Sequence, residues 1–161
     1  MAPGKGKRLT QQQTSNQDHC QIKVVSLSGR EAVPRVVSIM RHAIGSPSAD
    51  KVQSVSQMYK ADPKCHLWGL SLEGNLASIL GAEEISDAET RIRHIATIAG
   101  ERNHGYASEL IRHLLTNDSI KVIWAETSQD AVGFYERNGF EIKSIGEQWP
   151  GIERFRCTWQ R

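Results

Sequence analysis

Two polar clusters in this chain have residue types and spacings that could do chemistry. The first, Arg102-Asn103-His104-Gly105-Tyr106-Ala107-Ser108, lies where the apolar run IRHIATIAG gives way to the periodic stretch SELIRHLL. A helix starting there leaves about four N–H groups without intrahelical partners, with a positive potential of about half a charge. Gly105 and Ala107 would let an anionic group approach those donors, and Arg102 adds a fixed positive charge. The stretch is a candidate phosphate or pyrophosphate cradle, although close packing of a helix start on a sheet would explain the same small residues. Neither G-x-x-x-x-G-K-[ST] nor G-x-G-x-x-G occurs in the chain, which sets those two phosphate loops aside. The second cluster is Phe134-Tyr135-Glu136-Arg137-Asn138-Gly139-Phe140, one strand and one helix further on.

The elements that must position these clusters can be read from periodicity. CQIKVVSLSG reads as a strand, and REAVPRVVSIMRHAIG as a helix with Val33, Val36, Val37, Met40 and Ile44 on one face and Pro34 in its first turn. ADKVQSVSQMYKADP is a second helix stopped by Asp62-Pro63. Two strands joined at Glu73-Gly74-Asn75 follow, then the strand TRIRHIATIAG. Ala107, Leu110, Ile111, Leu114 and Leu115 keep helical spacing. SIKVIWAET is a buried-strand candidate, SQDAVGFYERNG a helix capped by Ser128, and FEIKSIGEQWPGIERFRCTWQ two strands around Trp149-Pro150-Gly151. The order β-α-α-β-β-β-α-β-α-β-β specifies an α/β (α+β) fold with one mixed central sheet flanked by helices.

Composition narrows the setting. With 161 residues, 39% hydrophobic and 24% charged, the chain fits one domain with one core. Residues 1–19 are rich in Gly, Gln, Ser and Thr, and are expected to form a disordered or extended arm preceding a domain over 20–161. No apolar run approaches the roughly 18–20 residues of a membrane span, and no secretory signal is evident. Cys20, Cys65 and Cys157 form no CxxC pair, so a reducing, cytoplasmic setting is expected. His19, His42, His66 and His113 lack metal-ligand spacing, so no metal is expected. A net charge of +2 does not by itself indicate a nucleic-acid partner.

Taken together, the two clusters resemble the signatures of the GNAT superfamily of acyl-CoA-dependent N-acetyltransferases. The pattern [RQ]-x-x-G-x-[GA] is met by Arg102, Gly105 and Ala107, and A-x-x-[FL]-Y-x-x-x-G-F by Ala131, Phe134, Tyr135, Gly139 and Phe140. The resemblance extends over about Val24 to Trp159, because the element order also matches that family's mostly antiparallel sheet.

The resemblance implies acetyl-CoA as cosubstrate, with its pyrophosphate on backbone N–H groups from Arg102 through Ser108. It implies that Ile95, Ala96 and Thr97 lend their backbone to the pantetheine arm, and that a strand N–H there stabilises the oxyanion. Phe134 and Ser128 would flank that arm; many family members carry Asn where this chain has Ser128. Tyr135 matches the tyrosine that protonates the leaving thiolate in many members. For the base that deprotonates the amine, Glu126 stands first and Glu84 second, with Glu83 and His94 as rivals and a water relay as an alternative. Trp149 could wall the acceptor site, against the default of local packing beside Pro150, and Arg154 and Arg156 could attract a carboxylate, against the default of a solvated strand face. Trp68 and Trp124 read most simply as core.

The leading function is therefore transfer of an acetyl group to a primary amine on a small molecule or protein, by direct transfer in a ternary complex, with a homodimer as an open option. A CoA-binding sensor without catalysis is the competing reading. Nucleic-acid binding through Lys5, Lys7 and Arg8 is a third, disfavoured by the lack of a basic stripe with interleaved aromatics elsewhere.

Overall fold

The computed structural model describes residues 20–161, so the expected arm over 1–19 lies outside the described residues. Seven strands form one sheet in the order β1-β2-β3-β4-β5-β7-β6. These are β1 (Ile22–Ser26), β2 (Cys65–Leu72), β3 (Asn75–Ser86), β4 (Glu89–Thr97), β5 (Val122–Ser128), β6 (Glu141–Trp149) and β7 (Ile152–Gln160). The helices are α1 (Pro34–Ala43), α2 (Ala49–Ala61), α3 (Tyr106–Leu115) and α4 (Gln129–Arg137). All strand pairs are antiparallel except β4 and β5, which run parallel across the α3 crossover. The element order is the one expected from periodicity, and the sheet is mixed and mostly antiparallel.

Local chemistry explains the boundaries. Pro34 opens α1 at a position whose N–H has no helical partner anyway. Val33 is left outside the helix and 43% exposed, so it does not join the face formed by Val36, Ile39 and Met40. Ser48 Oγ caps α2 by accepting from the Lys51 N–H at 3.2 Å. Glu73 (φ 49°) and Gly74 (φ 86°) take the left-handed pair of conformations that a tight β2–β3 hairpin needs. The end of the expected strand TRIRHIATIAG leaves the sheet and becomes a 3₁₀ turn, Ala99–Glu101.

The sheet is covered on both faces by two separate cores. On one face α1 and α2 bury Val36, Ile39, Met40, Val52 and Tyr59 against Leu67, Leu76 and Ile79. On the other, α3 and α4 bury Leu110, Ile111, Leu114 and Tyr135 against Leu80, Ile92, Ile123, Ala125 and Cys157. Leu76 to Ala82 of β3 are buried without interruption, as a strand covered on both sides requires. At Gly81 an added Cβ would lie 1.8 Å from the Tyr59 hydroxyl oxygen, so only glycine lets that ring lie across the strand.

Candidate active site

The site begins where β4 and β5 part. They pair through four rungs, from Glu89–Val122 to Ile92–Ala125. Beyond Ile92, β4 remains bonded to β3 as far as Thr97 opposite Ser78. Beyond Ala125, β5 remains bonded to β7 as far as Ser128 opposite Arg154. Each strand keeps its outer neighbour while its inner edge is freed, opening a slot whose walls are backbone N–H and C=O groups. Ile95, Ala96 and Thr97 form one wall. Ser78 Oγ donates to the Ala96 carbonyl at 2.9 Å, fixing the strand as it diverges.

The slot ends at the start of α3. Gly105 occupies the cap position with φ 80°, a left-handed conformation that glycine adopts freely. No side chain caps this helix, and Glu109 is the first of its residues to bond back, onto the Gly105 carbonyl at 2.9 Å. The N–H groups of Tyr106, Ala107 and Ser108 therefore precede the helical ladder. A Cβ built on Gly105 would meet no atom within 4 Å, so the approach to these donors is open. Glycine is needed here chiefly for its positive φ, and the open space is a second consequence of the same geometry. Asn103 is also left-handed, with φ 64°. Arg102 Nε donates to the Thr97 carbonyl at 3.3 Å, tying the loop to the strand end. His104 folds back, with Nδ1 3.1 Å from the Glu101 carbonyl and its ring stacked on Tyr106. Uncapped donors, an open cradle and a slot with free strand edges fit a nucleotide pyrophosphate that carries an extended amide arm.

Tyr135 lies in the core cluster that contains Ile92 and Ala125, the last rung before the fork. It is 4% exposed, set edge-on between Phe134 and Phe140. Burial, with the Cys157 thiol beside it, pushes its phenol above the ordinary value, so at neutral pH it keeps its proton. The Cys157 thiol is itself pushed up to about 11 by burial and the neighbouring Glu136 charge. Ser128 stands at the start of α4 as expected, but its hydroxyl donates to Asp130 Oδ1 at 2.7 Å instead of capping a backbone N–H.

The four candidate bases separate. Glu126 lies on β5 just past the fork, where its carboxylate accepts from Arg156 at 2.7 Å. Glu83 pairs with Arg93 at 2.8 Å. Glu84 sits elsewhere: it contacts His66 at 2.9 Å beside a cavity of about 290 Å³ lined by Trp68, His113 and Ile120. That cavity adjoins the C-terminal end of α3, the opposite end from the cradle, so Glu84 is not part of this constellation. His94 lies on the α1–α2 side of the sheet, with its Nδ1 2.7 Å from the Tyr59 hydroxyl. Burial first, then the Arg93 and Arg91 charges, lower its pKa to about 4, so His94 is neutral at physiological pH.

Trp124 is not the plain core residue that its apolar neighbours suggested. Its indole N–H donates to Glu89 Oε1 at 2.7 Å, and the guanidiniums of Arg91 and Arg156 lie 4.8 and 4.0 Å from its ring centroid. Arg154 donates to the Glu126 carbonyl at 3.1 Å, so Arg154 and Arg156 do not simply face solvent. Alternation along RIRH and WAE was the available signal for this cluster; the missing piece was that β7 inserts beside β5.

Residues 35–140 match the family model described as the acetyltransferase (GNAT) family. The chain belongs to the GNAT family. No curated protein sequence matches it. Among solved structures, the Escherichia coli ribosomal-protein-S18-alanine N-acetyltransferase superposes with a TM-score of 0.70 at 16% identity, covering 87% of this chain and 94% of that one. An acetyltransferase from Thermus thermophilus gives 0.70 at 13% identity, with 87% and 97% covered. A GNAT family acetyltransferase from Elizabethkingia anophelis, with acetyl-CoA bound, gives 0.65 at 15%, with 87% and 98% covered. These likenesses establish the GNAT fold, and with the family match they support acyl transfer as the general chemistry. Among the described residues of this GNAT chain, no helix is long and apolar enough to cross a membrane.

Proposed function

We propose that the protein is an acetyl-CoA-dependent N-acetyltransferase that transfers acetyl directly to a primary amine while both substrates are bound. The observation that carries this reading is the continuity of two features: the fork between β4 and β5, and the uncapped start of α3 at its end. When bound, acetyl-CoA supplies an electrophilic thioester carbonyl and a thiolate leaving group.

The chain's own groups account for the rest. The N–H donors of Tyr106, Ala107 and Ser108 hold the pyrophosphate, with Asn103, His104 and Gly105 shaping the loop and Arg102 bracing it against Thr97. Ile95, Ala96 and Thr97 offer strand-edge backbone to the pantetheine arm, and Phe134 and Ser128 flank it from α4. A strand N–H near Ile95 to Thr97, beyond the last β4–β5 rung, would stabilise the oxyanion. Tyr135, in the core cluster that includes Ile92 and Ala125 of the last rung, would deliver a proton to the departing sulfur. Glu126, just past the fork on β5, would serve as the base, with its carboxylate held by the ion pair with Arg156. A cytoplasmic setting belongs to this reading, supported by Cys20, Cys65 and Cys157 all being free thiols.

The test is CoA release by purified protein across a library of primary amines. Amine-dependent thiol release with one acetylated product per thiol supports direct transfer. Acetyl-CoA binding without release for any amine would replace the enzyme with a binding module.

A further inference from the structure

The fork has two sides. The α3 start lies on one face of the sheet with Ile92 and Ala125, so the acyl-transfer reading leaves the other face for an acceptor amine. On that other face, α1 and α2 pack on β2, β3 and β4 and leave β5 and β7 uncovered. There the alternate residues Arg91, Trp124, Glu126, Arg154 and Arg156 come together.

Their charges do not cancel. The nearby carboxylates are engaged: Glu83 by Arg93, Glu126 by Arg156, and Glu89 by the Trp124 indole. Arg91 and Arg154 have no carboxylate partner among the described residues. Arg91 Nε is sealed from solvent and has no hydrogen-bond partner, the one such side-chain nitrogen or oxygen among the described residues. That nitrogen is out of reach of an incoming ligand, but the terminal nitrogens of Arg91 are not enclosed in this way and donate to no protein group among the described residues, so they remain free to meet an anion. Arg91 stands one residue before the last rung of the fork, about 3.3 Å along the strand. An anion held by a side chain one rung from the fork could belong to the same small molecule as an amine poised there.

We propose that Arg91, with Arg154 and Arg156 beside it, binds a carboxylate on the acceptor, so that the substrate is a small amine that carries a carboxylate. This rests on the acyl-transfer reading and names its acceptor class. Arg91 is a specificity residue in this scheme, presenting a planar donor fork over the flat Trp124 ring to a planar acid.

The test reads binding separately from turnover. N-acetylglycine, N-acetyl-β-alanine and N-acetylglutamate, the products of such acceptors, are titrated calorimetrically into the full chain with CoA present, beside their carboxamides. At least one acid is expected to bind about tenfold to a hundredfold more tightly than its amide, the ratio for a lost charge-assisted hydrogen bond. Arg91→Gln removes most of that ratio, and Arg154→Gln, which disturbs no ring stack, reduces it if Arg91→Gln fails to fold. Equal binding of acids and amides, or no binding by any acid, overturns the proposal. Tight acids with no CoA release from any amine would sink the transferase reading instead. Release that ignores the carboxylate would sink this one alone.

Discussion

Ser108→Asp separates helix stability from cofactor binding, because the two respond with opposite sign. Ser108 is the third residue of α3, inside a first turn that no side chain caps. A carboxylate there meets free N–H donors and the positive end of the dipole, worth about 0.3–1 kcal/mol. For a domain of this size that raises Tm by about 1–4 °C. The same carboxylate would stand about 5 Å from a pyrophosphate bound on those donors. Two unit charges at that distance repel by about 3 kcal/mol at an effective permittivity near 20, and salt at an exposed loop removes about half of it. The residue is also left competing for the donors. CoA affinity should then fall about tenfold or more, a loss of about 1.4 kcal/mol. Calorimetric titration of CoA and a thermal melt of the free protein measure the two effects. A variant that melts higher yet binds CoA as tightly as the parent would refute the placement of the pyrophosphate.

Three further outcomes follow from the same geometry. Tyr135→Phe should lower kcat about a hundredfold or more, the usual scale of a general acid, while acetyl-CoA affinity stays within about twofold. Gly81→Ala would place a Cβ 1.8 Å from the Tyr59 hydroxyl oxygen, forcing the ring off His94; denaturant unfolding should show a loss of about 1–3 kcal/mol. His94 is neutral when folded, with a pKa near 4, but protonates near 6.5 when unfolded, so the unfolded chain binds the extra proton between those values. Stability should fall by about 2–3 kcal/mol as pH drops from about 6.5 to 4, and His94→Gln should flatten that part of the profile beyond what the carboxylates contribute.

Much of the fold is legible in the sequence because its signals are local. Helical spacing in α3, the Glu73-Gly74 hairpin, Pro34 and the glycine at the α3 start each act within a few residues. The cradle is legible for the same reason: its donors and its glycine are contiguous. What the sequence hides is non-local. Glu83 and Glu84 are adjacent, so strand alternation sends them to opposite faces, and nothing local says which face meets the fork. The insertion of β7 between β5 and β6 brings Arg154 and Arg156 to Glu126 across about thirty residues of chain, a register set by sheet order and not by spacing. Trp124 reads as core for that reason: its arginine neighbours come from β4 and β7, not from its own strand. His94 is equally obscure, since only the packing of Tyr59 from α2 over Gly81 makes it a buried, neutral imidazole.

The central claim is that the first N–H groups of α3 hold the pyrophosphate of coenzyme A. Titrating CoA into nitrogen-15-labelled protein and following the backbone amides tests it directly. The account predicts that the Gly105, Tyr106, Ala107 and Ser108 amides show the largest shifts, moving downfield as they take up an anionic acceptor. Saturating CoA that leaves those four amides in place, or shifts only those around the cavity at the far end of α3, would contradict it.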